Sequence, residues 1–96
     1  MNLTTAGEIL AGFIGGTARL WHFTASHDRL TVELNDASQA HRRYLVLIGC
    51  TQIDLPTWWR VSELRIAPEN SAFVLTDERV RVLFEYEFQI LDEYQE

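Results

Sequence analysis

Three histidines, one cysteine and fourteen acidic side chains make up the reactive inventory of this 96-residue chain. His22, His27 and His41, with Asp28 and Cys50, are its soft or borderline metal ligands. A tetrahedral zinc site needs four such groups converging, and paired CxxC or HxxxH spacings are its strong signals. Neither pairing occurs, and no metal or cofactor is expected. His27 and Asp28 fall in a polar turn between two strand patterns, and His22 falls on a strand with its ring half exposed. A nucleophilic thiol needs exposure and a neighbouring histidine or helix N-terminus to lower its pKa. Cys50 instead ends the apolar run that starts at Tyr44, so a buried, inert thiol is expected.

Glu85 and Glu87 project from one face of a strand about 7 Å apart, a separation found between acid and base in inverting glycosidases. Together with His22, His27 and Asp28 they are the polar residues of one possible site, a small-ligand or simple hydrolytic pocket inside a curved sheet. Alternate glutamates also commonly face solvent, and the chain contains no GxSxG or comparable nucleophile context. Gly15-Gly16-Thr17 follows a helical pattern, whereas a phosphate-cradling turn precedes its helix. Catalysis is therefore the minority reading.

Pro56-Thr57-Trp58-Trp59-Arg60 carries more weight. Adjacent strand residues point to opposite faces, so one indole is expected in the core and the other outside, near Arg60 and with Trp21 close by. Tryptophan and arginine are enriched among the residues that dominate protein interfaces. The leading expectation is a non-catalytic protein-interaction or self-associating domain binding through Trp58, Trp59, Arg60 and Trp21.

The elements that must position these residues follow from periodicity. Thr5 and Glu8 have the spacing of a capping box, Ala6, Leu10, Phe13 and Ile14 repeat at helical intervals, and Gly15-Gly16 ends the pattern. A helix over residues 5–14 is predicted. From Thr17 onward, β-branched and aromatic residues are punctuated by turn residues every eight to twelve positions. Strands are expected at 17–25, 30–35, 42–54, 58–66, 72–76 and 79–91. The last would exceed about 35 Å if straight, so a bend or bulge is expected. Residues 44–50 are apolar on both faces and should form the central strand. A fifty-residue offset aligns Phe23–Leu34 with Phe73–Phe84, a match that similar hairpins produce without duplication. The expected architecture is a single α+β domain over 1–96, with a short N-terminal helix packed on a strongly curved, mostly antiparallel sheet of five to six strands, a roll or partly open barrel.

Charge narrows the partners. The net charge is −6. Arginines and acids balance through residue 65, so the whole excess lies in the last third, from Glu69 to Glu96. Such a field repels nucleic acid and anionic lipid and favours a basic partner. One cysteine, no basic start and no long apolar run give the expectation of a cytoplasmic protein with no membrane segment.

Overall fold

The chain opens with a nine-residue helix, Leu3–Ala11 (α1), in the computed structural model, which describes residues 1–94 and His27 by its backbone alone. The Asn2 side chain accepts the Thr5 backbone N–H at 2.8 Å, satisfying one of the donors a helix start leaves open. Thr5 is therefore the capped residue and not the cap, and the helix begins two residues before the predicted start. The Gly12 N–H donates to the Ile9 carbonyl at 3.1 Å, and the chain leaves through Gly15 at φ +86°. Ala6, Leu10 and Phe13 are buried as the periodicity requires, whereas Ile14 lies beyond the helix and is exposed.

Seven strands follow: β1 (Thr17–Thr24), β2 (Arg29–Asn35), β3 (Arg42–Asp54), β4 (Trp58–Arg60), β5 (Arg65–Glu69), β6 (Ala72–Asp77) and β7 (Val80–Leu91). They form one antiparallel sheet in the order β4-β1-β2-β3-β7-β6-β5. The count exceeds the expected five to six because 58–66 is two strands. Ser62 and Glu63 break the extended run, and its halves pair on opposite edges of the sheet.

That split dictates the curl. Only residues 61–64 connect β4 to β5, and at no more than about 3.5 Å per residue they span roughly 17 Å. A flat sheet with five strands between those edges would hold them roughly 29 Å apart at ~4.8 Å per strand step. The sheet must roll into a half-barrel, and α1 packs against β5. Two meanders, β1-β2-β3 and β5-β6-β7, meet at the long β3–β7 ladder.

The ladder bends as expected, with irregularities around Gly49 and between Cys50 and Gln52. Gly49 sits at φ +84° with Tyr86 across its open face, where a Cβ would lie 2.7 Å from a ring carbon. The β1–β2 hairpin turns through Ala25–Asp28, the β6–β7 hairpin through Glu78 and Arg79 alone. Sequence-matched residues thus occupy unlike turns, in keeping with shared hairpin chemistry and not a copied unit.

Side chains from α1, Ala18, Val32, Leu34, Leu45, Leu47, Trp59, Leu75, Val82 and Phe84 fill the curl. β3, fourth of the seven strands, is buried on both faces from Tyr44 to Leu47. On the outer face an aromatic cluster sits over Tyr44. Trp21 and Tyr94 pack on Tyr44 with ring centroids 5.6 and 5.7 Å away, burying Tyr44 while Trp21 stays partly exposed. Among the described residues no helix is long and apolar enough to cross a membrane.

Candidate functional site

Alternation along β4 sends its two indoles to opposite faces. Trp59 is 6% exposed in the core and Trp58 is 53% exposed on the outer face. The Trp59 Nε1–H donates to Asp77 Oδ2 at 3.0 Å. The same carboxylate accepts the backbone N–H groups of Ser62 at 3.2 Å, Glu63 at 2.9 Å and Glu78 at 2.7 Å. Asp77 thereby fastens the β4–β5 connection to the β6–β7 turn, and Trp59 is structural.

Trp58, Arg19, Glu33 and Tyr44 stand side by side across β4, β1, β2 and β3. The Arg19 guanidinium carbon lies 5.0 Å from the Trp21 ring centroid, so Arg19 sits between two partly exposed indoles. A cation held over an exposed indole contributes on the order of 0.5–1 kcal/mol. Arg60 projects from the same face as Trp58 and donates from Nη1 to the Gly15 carbonyl at 3.0 Å. Trp58, Arg60 and Trp21, three of the four expected binding residues, thus share the outer face, while Trp59 is withdrawn into the core.

Glu33 is the residue that sequence reasoning passed over. Its position in the run Leu30–Leu34 reads as an ordinary outward-facing acid, yet it is 3% exposed. Arg19 Nη2 lies 3.0 Å from Oε1, and Asn35 Nδ2 donates to the same oxygen at 3.1 Å. Oε2 has no hydrogen-bond partner among the described residues, and the nearest cation, Arg42 Nε, is 3.9 Å away. That Nε donates at 3.3 Å to Asn35 Oδ1 instead. Thr17, Arg19, Glu33, Asn35, Gln39, Arg42 and Trp58 line a polar cleft of about 270 Å³ here.

The polar residues of the pocket reading lie apart from this cleft. His22 Nδ1 shares a hydrogen bond with the Tyr94 hydroxyl at 2.5 Å, and its Nε2 another with Thr24 Oγ1 at 3.1 Å. Asp28 takes up a left-handed turn conformation at φ 48°, and its carbonyl accepts the N–H groups of Gly49 and Cys50 at 3.2 and 2.9 Å. Glu85 and Glu87 are exposed on β7, and the His27 side chain lies outside the described residues. No group of three or more His, Cys, Asp or Glu side chains among the described residues is arranged to hold a metal. His41 lies in a loop organised by Asp36, whose Oδ1 accepts the Ser38 hydroxyl and the Ala40 and His41 N–H groups. Partial desolvation raises the Asp36 pKa, but those hydrogen bonds outweigh it and hold the carboxyl below its ordinary value.

Cys50 is buried, and burial pushes its thiol up to about 11, against a lowering backbone hydrogen bond at Leu30. The thiolate is the nucleophile, so alkylation of the native protein by iodoacetamide at neutral pH should be at least about tenfold slower than in urea. Equal rates would place the thiol at the surface. Because burial raises the folded pKa above the ordinary 9.0, the protein keeps its full stability with respect to this thiol below about pH 9 and loses it as pH rises toward 11. The chain matches no family model, no curated protein and no solved structure.

Proposed function

We propose that this chain is a non-catalytic binding domain, acting by protein–protein contact or self-association through the outer face around Trp58 and the adjoining sheet edge. Trp58 carries the reading: its neighbour Trp59 is consumed by the core, while Trp58 itself is 53% exposed beside Arg19 and Arg60. An indole left in water beside arginine is the type of residue that dominates binding energy once a partner covers it. The alternative, a small-ligand or hydrolytic pocket inside the curved sheet, has less support. Leu10, Leu45, Leu75, Val82 and Phe84, each fully buried, occupy the space inside the curl. A cytoplasmic setting agrees with a single cysteine that is buried and unpaired.

Trp58→Ala tests the reading. As a surface change away from core and caps it should alter stability by no more than about 0.5 kcal/mol. In native mass spectrometry of untagged protein purified from its own host, the parent chain should carry a second chain that the variant lacks. A variant that keeps the added mass, or an added mass of metal or small-molecule size, overturns the reading.

A further inference from the structure

We infer that the partner engaged at Trp58 is an extended acidic segment, which adds to the free side of β4 and places its carboxylates against Arg60 and Arg19. The inference rests on the interaction reading above and supplies the chemistry of the partner. It also reverses the sign that net charge alone indicates.

The edge is defined by hydrogen bonding. The Leu20 N–H donates to the Thr57 carbonyl at 2.8 Å, and the Val61 N–H to the Gly16 carbonyl at 3.0 Å. Residues 57, 59 and 61 therefore turn their backbone groups toward β1. Alternation turns those of Trp58 and Arg60 the other way, on a strand that ends the sheet and pairs with β1 alone. An outermost strand with outward N–H and C=O groups is a template for an added strand. Trp58 and Arg60 are both exposed, and among the described residues their backbone groups have no partner on this side.

Charge selects the occupant. Although the chain carries −6 overall, the outer face at β4 and β1 presents Arg60 and Arg19, and Arg42 on β3 lines the far side of the cleft. The one acid in the cleft is Glu33, which is buried. The nearby Asp36 carboxylate is turned into its own loop. Each guanidinium has five N–H donors. Within this cluster Arg19 reaches Glu33 through Nη2, and Arg42 reaches Asn35 through Nε. Both side chains remain about half exposed, at 52% and 59%. Glu33 acts as a positioning residue: its buried carboxylate holds Arg19 on the outer face, while Arg42, 3.9 Å from the unpaired oxygen, is held by Asn35. Arg19 and Arg60 keep unused donors on the outer face at β4, and the matching ligand group is a carboxylate.

The probe is the blocked pentapeptide acetyl-Glu-Val-Glu-Val-Glu-amide, whose alternation puts its three carboxylates on one face of a strand. Its lysine counterpart, acetyl-Lys-Val-Lys-Val-Lys-amide, is the control. Titrated into the full ¹⁵N-labelled chain, the glutamate peptide should shift the amides of Trp58 and Arg60 and the Trp58 indole saturably, and the lysine peptide should not. Arg19→Gln and Arg60→Gln, whose well-dispersed spectra would establish folding, should each weaken binding about tenfold. Raising NaCl from about 50 to about 500 mM should weaken it further. Equal binding of both peptides overturns the acidic assignment but keeps the interaction surface. Binding of neither overturns it as well, and host-purified protein that still loses its partner with Trp58→Ala would leave the interaction reading standing. Dilution-dependent shifts at these residues without peptide would identify a second copy of the chain as occupant and also overturn the inference.

Discussion

Trp59→Ala should unfold the protein or come close to it, while Trp58→Ala, one residue away, should leave the melting curve almost unchanged. Removing a buried tryptophan side chain costs about 3–5 kcal/mol, a large part of the roughly 5–15 kcal/mol that holds a small domain together. Trp59 is 6% exposed, and its indole N–H is one of four donors to Asp77. Its loss opens the core below β4 and loosens the carboxylate that fixes residues 61–64. Trp59→Phe separates the two contributions, retaining most of the apolar volume and dropping only the N–H, at about 1 kcal/mol. Urea denaturation followed by circular dichroism reads all three variants. Equal destabilisation by Trp58→Ala and Trp59→Ala would mean that both indoles are structural, and the outer-face interaction site would lose its main residue.

The reason this pair was legible before any coordinates is that strand alternation is a strict local rule. It required one indole in and one out, though not which. The choice between them depends on β4 pairing with β1 so that Trp59 lies opposite Ala18, a small core residue, and Trp58 opposite Arg19. That register joins segments some forty residues apart and leaves no local mark. Residues 42–54 were readable as one strand for the same reason that they are central, since apolar residues on both faces need cover on both.

The break at Ser62-Glu63 was not readable, because Arg60, Val61 and Leu64 continue an acceptable strand pattern across it. What separates β4 from β5 is Asp77, whose carboxylate takes the Ser62 and Glu63 N–H groups that a continuous strand would have paired elsewhere. Glu33 was hidden similarly. Arg19, Asn35 and Arg42 reach it from β1, β2 and β3, and Trp21 and Tyr94 pack on its cross-strand neighbour Tyr44. The charge count failed to indicate the local sign for a related reason: it sums over the chain, whereas folding sets Arg19 and Arg60 at one edge and buries the adjoining acid, Glu33. Periodicity reports what each strand does alone, and the cleft is made by what strands do to one another.

Gly16→Ala is the second large effect, and it depends on how closely the chain passes itself where α1 hands over to β1. A Cβ on Gly16 would overlap the Asn35 carbonyl oxygen and sit 2.9 Å from both the carbonyl carbon and Cα of Asp36. All of these are backbone atoms, so no rotamer change relieves the clash, and β1 and β2 must part at the Thr17–Asn35 pair. The same movement strains the Val61 N–H bond to the Gly16 carbonyl, which extends the β4–β1 ladder. Overpacking against fixed backbone with loss of ladder bonds should cost about 3 kcal/mol or more. Gly7→Ala is the matched control. It lies inside α1 with no atom within 4 Å of the added methyl, and a glycine in a helix interior gives up about 0.8–1 kcal/mol relative to alanine. One substitution should thus lower the urea midpoint sharply and the other raise it. If Gly16→Ala unfolded at the parent's midpoint, β1 and the Asn35–Asp36 bend could not lie as close as the curl requires. The seating of β4 against β1, and with it the outward turn of Trp58, would need to be redrawn.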